Sequence, residues 1–290
     1  MRRFRISRVL AAAVTAACIT LGAGAPANAA VMNNLHNILD NIYAGALDIA
    51  PEGVYGLRIG LGPGLDPDFR GDSHMSVHAQ PLISLRYKNM IAIDNNQVRV
   101  NFLGHWGNVM NNSPWSAGPI VRIDFGRDES DSPKLKGLGD VGTSLELGGY
   151  VGYRIDTTRL RIRVRQDVIH GHNGFLADFD ANSTLLVRGK WTLSSNGAIT
   201  WASSNYMNAF YGVTPAQSIG SGLPVFHAGS GLHDVTLNLV GTYEFNARWS
   251  ALGSVGYSRL FSSAAHNPLV SERGSPNQTT AAVFAIYTFH

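Results

Sequence analysis

Asp167, His170 and His172 have the types and spacing that chemistry uses. An imidazole with a carboxylate to orient it is the usual general-base pair. Two histidines two apart on an extended segment point to one side, and with a third ligand they could hold a metal. Against both readings, His170-Gly171-His172-Asn173-Gly174 has the composition of a polar turn. No serine-nucleophile motif accompanies it. His74 and His78 flank another polar stretch and read as solvated. No residue is assigned a catalytic, cofactor-binding or metal role.

A second charged pattern is more regular. Arg159, Arg161, Arg163 and Arg165 alternate with Leu160, Ile162 and Val164. Just upstream, Leu145, Leu147, Val151 and Tyr153 alternate with Glu146, Gly148, Tyr150, Gly152 and Arg154. A turn over Ile155–Thr158 would set Arg154 against Arg159, Gly152 against Arg161, Tyr150 against Arg163 and Gly148 against Arg165. One face of that hairpin is then apolar and the other carries an arginine ladder. In a membrane barrel the apolar face meets lipid, because arginine there would cost roughly 2–4 kcal/mol at the midplane. Arg159, Arg161, Arg163, Arg165 and Glu146 are therefore candidates to line a lumen. The ladder either forms a ring that favours anions or fills the interior, paired with Glu146, Asp167 or carboxylates of facing strands.

The rest of the chain supplies the elements that would position these side chains. Period-two alternation in segments of about ten residues, broken by polar, Gly- and Pro-containing stretches, is the mark of a transmembrane β-barrel. Twelve strands are expected, within a range of 10–14: 54–61, 77–87, 90–94, 97–103, 117–126, 141–154, 159–166, 183–192, 198–203, 234–244, 249–260 and 278–289. Back from the C-terminus the connections alternate long and short: 261–277, 245–248, 204–233, 193–197, 167–182, 155–158, 127–140. Outer-membrane barrels have short periplasmic turns and longer outer loops, so both termini would lie in the periplasm. The alternation breaks near the start, where Asn95-Asn96 is short and Gly104–Ser116 is long.

Residues 1–29 read as a cleavable signal peptide: Arg2, Arg3, Arg5 and Arg8, an apolar run, then Ala27-Asn28-Ala29. Cys18, the only cysteine, raises the alternative of a lipoprotein, against which a full A-x-A site lies downstream. Four of the 23 basic residues lie in the signal, leaving 19 against 20 acidic ones, a net of −1. The compositional case for nucleic-acid binding thus disappears. Residues 30–52 form a periplasmic leader in which Leu35, Ile38, Leu39 and Ile42 recur at helical spacing. This leader is a candidate partner-binding element, and 53–290 is the barrel. Five tryptophans and several tyrosines, among them Trp115, Trp191, Trp249, Tyr153 and Tyr287, are candidates for interfacial girdles. The last strand ends with Tyr287 and Phe289 in the manner of an outer-membrane insertion signal.

Several runs together resemble the family of the MltA-interacting protein, also called the OmpV family. They are Gly60-Leu61-Gly62-Pro63, Leu135-Lys136-Gly137-Leu138-Gly139-Asp140, Ile169-His170-Gly171-His172-Asn173-Gly174 and Asn267-Pro268-Leu269-Val270. The most specific is Phe210-Tyr211-Gly212-Val213-Thr214-Pro215-Ala216-Gln217-Ser218 with Ser221-Gly222-Leu223-Pro224. The resemblance implies an all-β outer-membrane protein surrounded by outer-membrane lipids. It also implies a non-enzymatic scaffold for a murein lytic transglycosylase and a penicillin-binding protein. The alternative is a small porin or adhesin.

Overall fold

The computed structural model describes residues 56–87, 90–103 and 113–289. The signal peptide, the leader with Leu35, Ile38, Leu39 and Ile42, and His290 lie outside the described residues. Twelve antiparallel strands close into one barrel. They are β1 Gly56–Pro67, β2 Met75–Tyr87, β3 Ile91–Asp94, β4 Gln97–Val100, β5 Trp115–Asp124, β6 Ser144–Ile155, β7 Thr158–Asp167, β8 Phe175–Arg188, β9 Trp191–Ala202, β10 Gly231–Glu244, β11 Trp249–Leu260 and β12 Asn277–Phe289. Closure sets Leu57 against Phe289 and Leu65 against Ala281. Among the described residues no helix is long and apolar enough to cross a membrane. The crossing is made by strands, whose backbone groups are satisfied largely within the closed ladder.

The polarity is inverted relative to a water-soluble sandwich. Ile59, Leu61, Ile162, Val164, Leu237, Val255 and Val283 are exposed on the outer wall. Their neighbours in sequence face inward and are mostly polar. Asn182, Asn196 and Asn238 on three adjacent strands are buried and bonded in series: Asn196 Nδ2 donates to Asn182 Oδ1 at 2.6 Å and Asn238 Nδ2 to Asn196 Oδ1 at 3.3 Å.

This inversion explains where the expected strand limits fail. The segments 167–182 and 193–197 read as loops because Asp178, Asp180, Asn182, Ser194 and Asn196 are loop-like residues. They are instead inward-facing positions of β8 and β9, which meet at a tight turn, Gly189-Lys190. The connection 168–174 is correspondingly short. β1 also runs past Gly60–Pro63, which lies inside the strand and not at its end.

The break in the loop alternation has a structural cause. β3 and β4 are four residues each, about 13 Å at ~3.3 Å per residue, so their hairpin stops partway up the wall. Its two asparagines clasp the neighbours. Asn95 N–H donates to Ile83 O at 2.9 Å and Asn95 Oδ1 accepts from Ile83 N–H at 2.7 Å. Asn96 O accepts from Ile123 N–H at 3.0 Å, and Asn96 Nδ2 donates to Ile123 O at 2.8 Å. Beyond Ile83, among the described residues, no strand pairs with this edge of β2. Residues two apart share an edge, so Pro81 has its missing N–H there. A proline in this place removes one donor that would otherwise be bare.

The long loops carry two apolar clusters. The segment 203–230 holds helices α1 Ser204–Tyr211 and α2 Pro215–Ser221; 261–276 holds α3 Ser262–His266 and α4 Pro268–Arg273. Tyr206, Met207, Phe210 and Tyr211 of α1 pack with Val141, Leu176, Leu260, Ala264 and Val270. Phe69, Leu135, Leu138, Val213, Leu223 and Leu269 form a second cluster. Asn267, wholly buried, accepts from Val270 N–H at 3.0 Å and so caps α4. Gly137, at φ +84°, lies against the Gly220 backbone so closely that a Cβ would collide with it. Lys134 Nζ reaches Asp72 Oδ1 at 2.5 Å, and Arg273 Nη1 donates to Lys134 O at 2.9 Å. Loops 68–74, 125–143, 203–230 and 261–276 thus interlock as a cap.

Candidate functional site

The β6–β7 register sets Gly152 against Arg161, Tyr150 against Arg163 and Gly148 against Arg165, with Arg154 opposite Arg159. Arg161, Arg163 and Arg165 are buried within the barrel, whereas Ile162 and Val164 are exposed. Arg159, nearer the turn, is half-buried. On the other side β8 sets Asp180 against Arg161 and Asp178 against Arg163. Arg161 Nη2 lies 2.9 Å and its Nε 3.2 Å from Asp180 Oδ1. Arg165 bridges two strands, Nη1 to Glu146 Oε2 at 2.8 Å and Nη2 to Asp178 Oδ2 at 2.7 Å. Arg163 Nε lies 3.4 Å from Asp180. These are charge-assisted contacts between groups whose burial without partners would be costly. Arg161, Arg163 and Arg165 therefore do not form a bare cationic ring; facing carboxylates neutralise them.

The histidine lead resolves differently from the expectation. His170 and His172 do not share a side: His170, at φ +69°, is exposed with Nδ1 on Asn173 Oδ1 at 2.7 Å, while His172 is buried. Asp167 is not an orienting acid. Its carboxylate accepts from the N–H groups of Ile169, His172 and Asn173 at 3.0, 3.0 and 2.8 Å and so shapes the loop. His172 Nδ1 accepts from Gly174 N–H at 2.9 Å, which assigns its proton to Nε2, 3.1 Å from Glu146 Oε1. Asp124, Glu146 and His172 are close enough to share a cation, but Glu146 is already held by Arg165 and lies 3.8 Å from Arg122 Nε. A Ser–His–Asp group that the sequence did not suggest sits at the first outer loop. His74 Nδ1 is 2.9 Å from Asp68 Oδ2 and 3.5 Å from Ser76 Oγ. A catalytic relay uses opposite ring nitrogens, and here one nitrogen serves both, so the group is a turn.

Beneath the cap lies a chamber of about 100 Å³ whose lining includes Asp66, Asp124, Asp178 and Asp234 with Arg70, Arg122, Arg163 and Arg165. Four carboxylates meet four guanidiniums. Polar bonds fix the cap to this chamber. Tyr211 Oη is 2.9 Å from His233 Nε2, whose Nδ1 contacts Asp234; Arg70 contacts Tyr206 Oη; and Arg127 Nη1 donates to Phe210 O at 2.7 Å. Burial pushes both phenols well above their ordinary range, so Tyr206 and Tyr211 stay protonated.

At the opposite, short-turn end, a second cavity of about 90 Å³ is lined by Arg86, Arg99, Arg154, Arg159 and Arg161 with Asn101, Ser113, Ser116, Trp115 and Tyr150. Around this rim Trp115 packs on Tyr153, Trp191 on Tyr243, and Trp249 on Tyr287, at centroid separations of 4.6–5.0 Å. Tyr287 also meets Phe289 at 4.7 Å. Such a belt suits a membrane interface. Sequence reading missed Asp178, Asp180, Arg86 and Arg99 of the two sites. Asp178 and Asp180 alternate with Ala177, Phe179 and Ala181, a strand signal hidden by their polarity.

Residues 59–289 match the family described as MltA-interacting protein MipA. The outer membrane protein OmpV of Vibrio cholerae serotype O1 is 24% identical over 188 residues, 65% of this chain and 69% of that protein. The MltA-interacting protein of Escherichia coli K12 is 24% identical over 148 residues, 51% of this chain and 59% of that protein. Among solved structures the NanC porin is similar with a TM-score of 0.45 and 12% identity, over 80% of this chain and all of that one.

Proposed function

The chain belongs to the MltA-interacting protein family of outer-membrane barrels, and from that membership we propose a non-enzymatic envelope scaffold. It bridges a murein lytic transglycosylase and a penicillin-binding protein on the periplasmic face of the outer membrane. The observation that carries this reading is the interlocked outer cap, built from four loops over two apolar clusters. With the outer mouth filled, the surface left for a partner is the short-turn end, which faces murein. That surface comprises the turns at Asp156-Thr157, Gly189-Lys190 and Phe245–Arg248. Short turns fall below the ~800 Å² per partner of a stable interface, so the leader 31–52, with Leu35, Ile38, Leu39 and Ile42, supplies the remainder. The enzymatic alternative lacks support in the geometry of Asp167, His170 and His172 described above.

The test is capture of a lytic transglycosylase by the full mature chain and by a chain lacking Val31–Ile49. Retention by the first and loss by the second, with the barrel still assembled, is the expected result. Retention by both refutes the leader as docking element. Capture by neither, together with steady conductance in planar bilayers, replaces the scaffold with a small porin.

A further inference from the structure

The chamber under the cap balances its charges in number but not in pairs. On one wall Asp66 of β1 is buried, and its Oδ1 accepts from Gln80 Nε2 at 3.1 Å. Gln80 reaches it over Gly64, where a Cβ would stand 2.1 Å from Gln80 Cδ. Asp66 Oδ2 and Gln80 Oε1 have no hydrogen-bond partner, and Asp66 forms no ion pair among the described residues. On the opposite wall stands Arg163 of β7, six strands away in a ring of twelve. Asp178 and Asp180 lie 3.7 and 3.4 Å from its Nε. Their hydrogen bonds go to the neighbouring rungs, Asp178 to Arg165 at 2.7 Å and Asp180 to Arg161 at 2.9 Å. Arg163 Nε and Nη1 are left without a hydrogen-bond partner among the described residues. Arg70, from the loop after β1, also lines the chamber and donates to the Tyr206 hydroxyl.

A buried carboxylate or guanidinium is costly unless its hydrogen bonds are made. A lone anion would answer Arg163 and leave Asp66 unmet, and a lone cation would do the reverse. Either would also upset a lining of four carboxylates and four guanidiniums. A molecule with both charges and no net charge answers both walls. The chamber's volume of about 100 Å³ is several times the room one water needs and takes about six heavy atoms on that scale.

We propose that the chamber binds a small zwitterionic α-amino acid, its carboxylate toward Arg163 and Arg70 and its ammonium toward Asp66. The planar donor pair of a guanidinium matches a carboxylate edge to edge. An ammonium brings three donors to the unmet acceptors Asp66 Oδ2 and Gln80 Oε1. The remaining space suits a hydrogen or a methyl group, so glycine and alanine fit and leucine does not. The site stands apart from the scaffold reading, whose partners meet the other end of the barrel.

The experiment is calorimetric titration of the full mature chain, folded in detergent, with glycine and with alanine. Acetate and methylammonium, which carry one charge each, and leucine are titrated alongside. At least one of the two small amino acids gives a saturable isotherm, and the other three compounds bind at least tenfold more weakly. D66N and R163Q each weaken the amino acid at least tenfold. R248Q, a charge change on an exposed turn of the other end, leaves it unaltered. Each variant is checked for heat-modifiable mobility, and R70Q stands in for R163Q should that chain not assemble. The comparison of ligands on the unaltered chain decides the matter if no variant assembles. Absence of saturable binding by both small amino acids overturns the proposal. Acetate binding as tightly as alanine also overturns it, by making the chamber a plain anion site, and so does an affinity that D66N leaves unchanged.

Discussion

The chamber under the long loops and the mouth at the short-turn end share one barrel and one arginine ladder, and they treat charge differently. In the chamber four arginines meet four carboxylates under a cap of buried aromatic and aliphatic side chains. In the mouth five arginines line the cavity, with no carboxylate among the described lining residues. The switch occurs within one strand, between Arg163 and Arg159. Strand β8 makes the difference, placing Asp178 and Asp180 opposite Arg163 and Arg161 but Asn182 opposite Arg159. A regular ladder in sequence is therefore not one electrostatic object. Its upper rungs face carboxylates of β8, and its lowest rung faces an asparagine.

The sharpest ways to break this comparison begin with the barrel itself. Deleting Tyr287–His290 removes the end of β12, which pairs with both β1 and β11, and should abolish most assembly, read as loss of the heat-modifiable band. Full assembly of that deletion would mean that closure rests on other strands. Next, Arg165→Gln strips Glu146 and Asp178 of a shared partner. It should cost about 3–5 kcal/mol in unfolding from detergent, as breaking buried pairs does. Met207→Ala, in the cap, should cost about 2–5 kcal/mol of local packing, seen as faster protease cleavage within 203–230 while the barrel persists. Tyr211→Phe leaves His233 Nε2 without its hydroxyl and should cost about 1 kcal/mol. The smallest effect belongs to Arg248→Gln, on an exposed turn of the short-turn end, expected within about 0.5 kcal/mol of wild type. A loss there as large as that of Arg165→Gln would erase the distinction between the two ends.

Much of the barrel was legible because strand periodicity survives whichever side is greasy. The β6–β7 register follows from Leu, Ile and Val alternating with Arg, and the structure has that register. The illegible parts share one cause. Asp178, Asp180, Ser194 and Asn196 have loop-like composition because the interior they face is polar and charged, so β8 and β9 were read too short. The cap was missed for the opposite reason. Tyr206, Met207, Phe210 and Tyr211 recur at helical spacing, yet an eight-residue helix between strands looks like connection until a neighbouring loop covers it. His172 could not be assigned at all from sequence, since its partner Glu146 is 26 residues away on strand β6.

The half-height hairpin of β3 and β4 has a consequence for the lipid around the protein. Elsewhere the wall is built of strands of 10–14 residues, but between β2 and β5 it is lower. There, among the described residues, no strand pairs with the β3 edge of β2 above Ile83, and the apolar outer surface is interrupted. Bilayers relieve such hydrophobic mismatch by local thinning, at fractions of a kcal/mol per Å. The leaflet should thus dip on one side of this molecule only, giving it a preferred orientation toward thin or curved membrane. Extending the hairpin by two residues per strand, with leucine or valine outward, should flatten the dip and reduce partitioning into thin bilayers relative to thick ones.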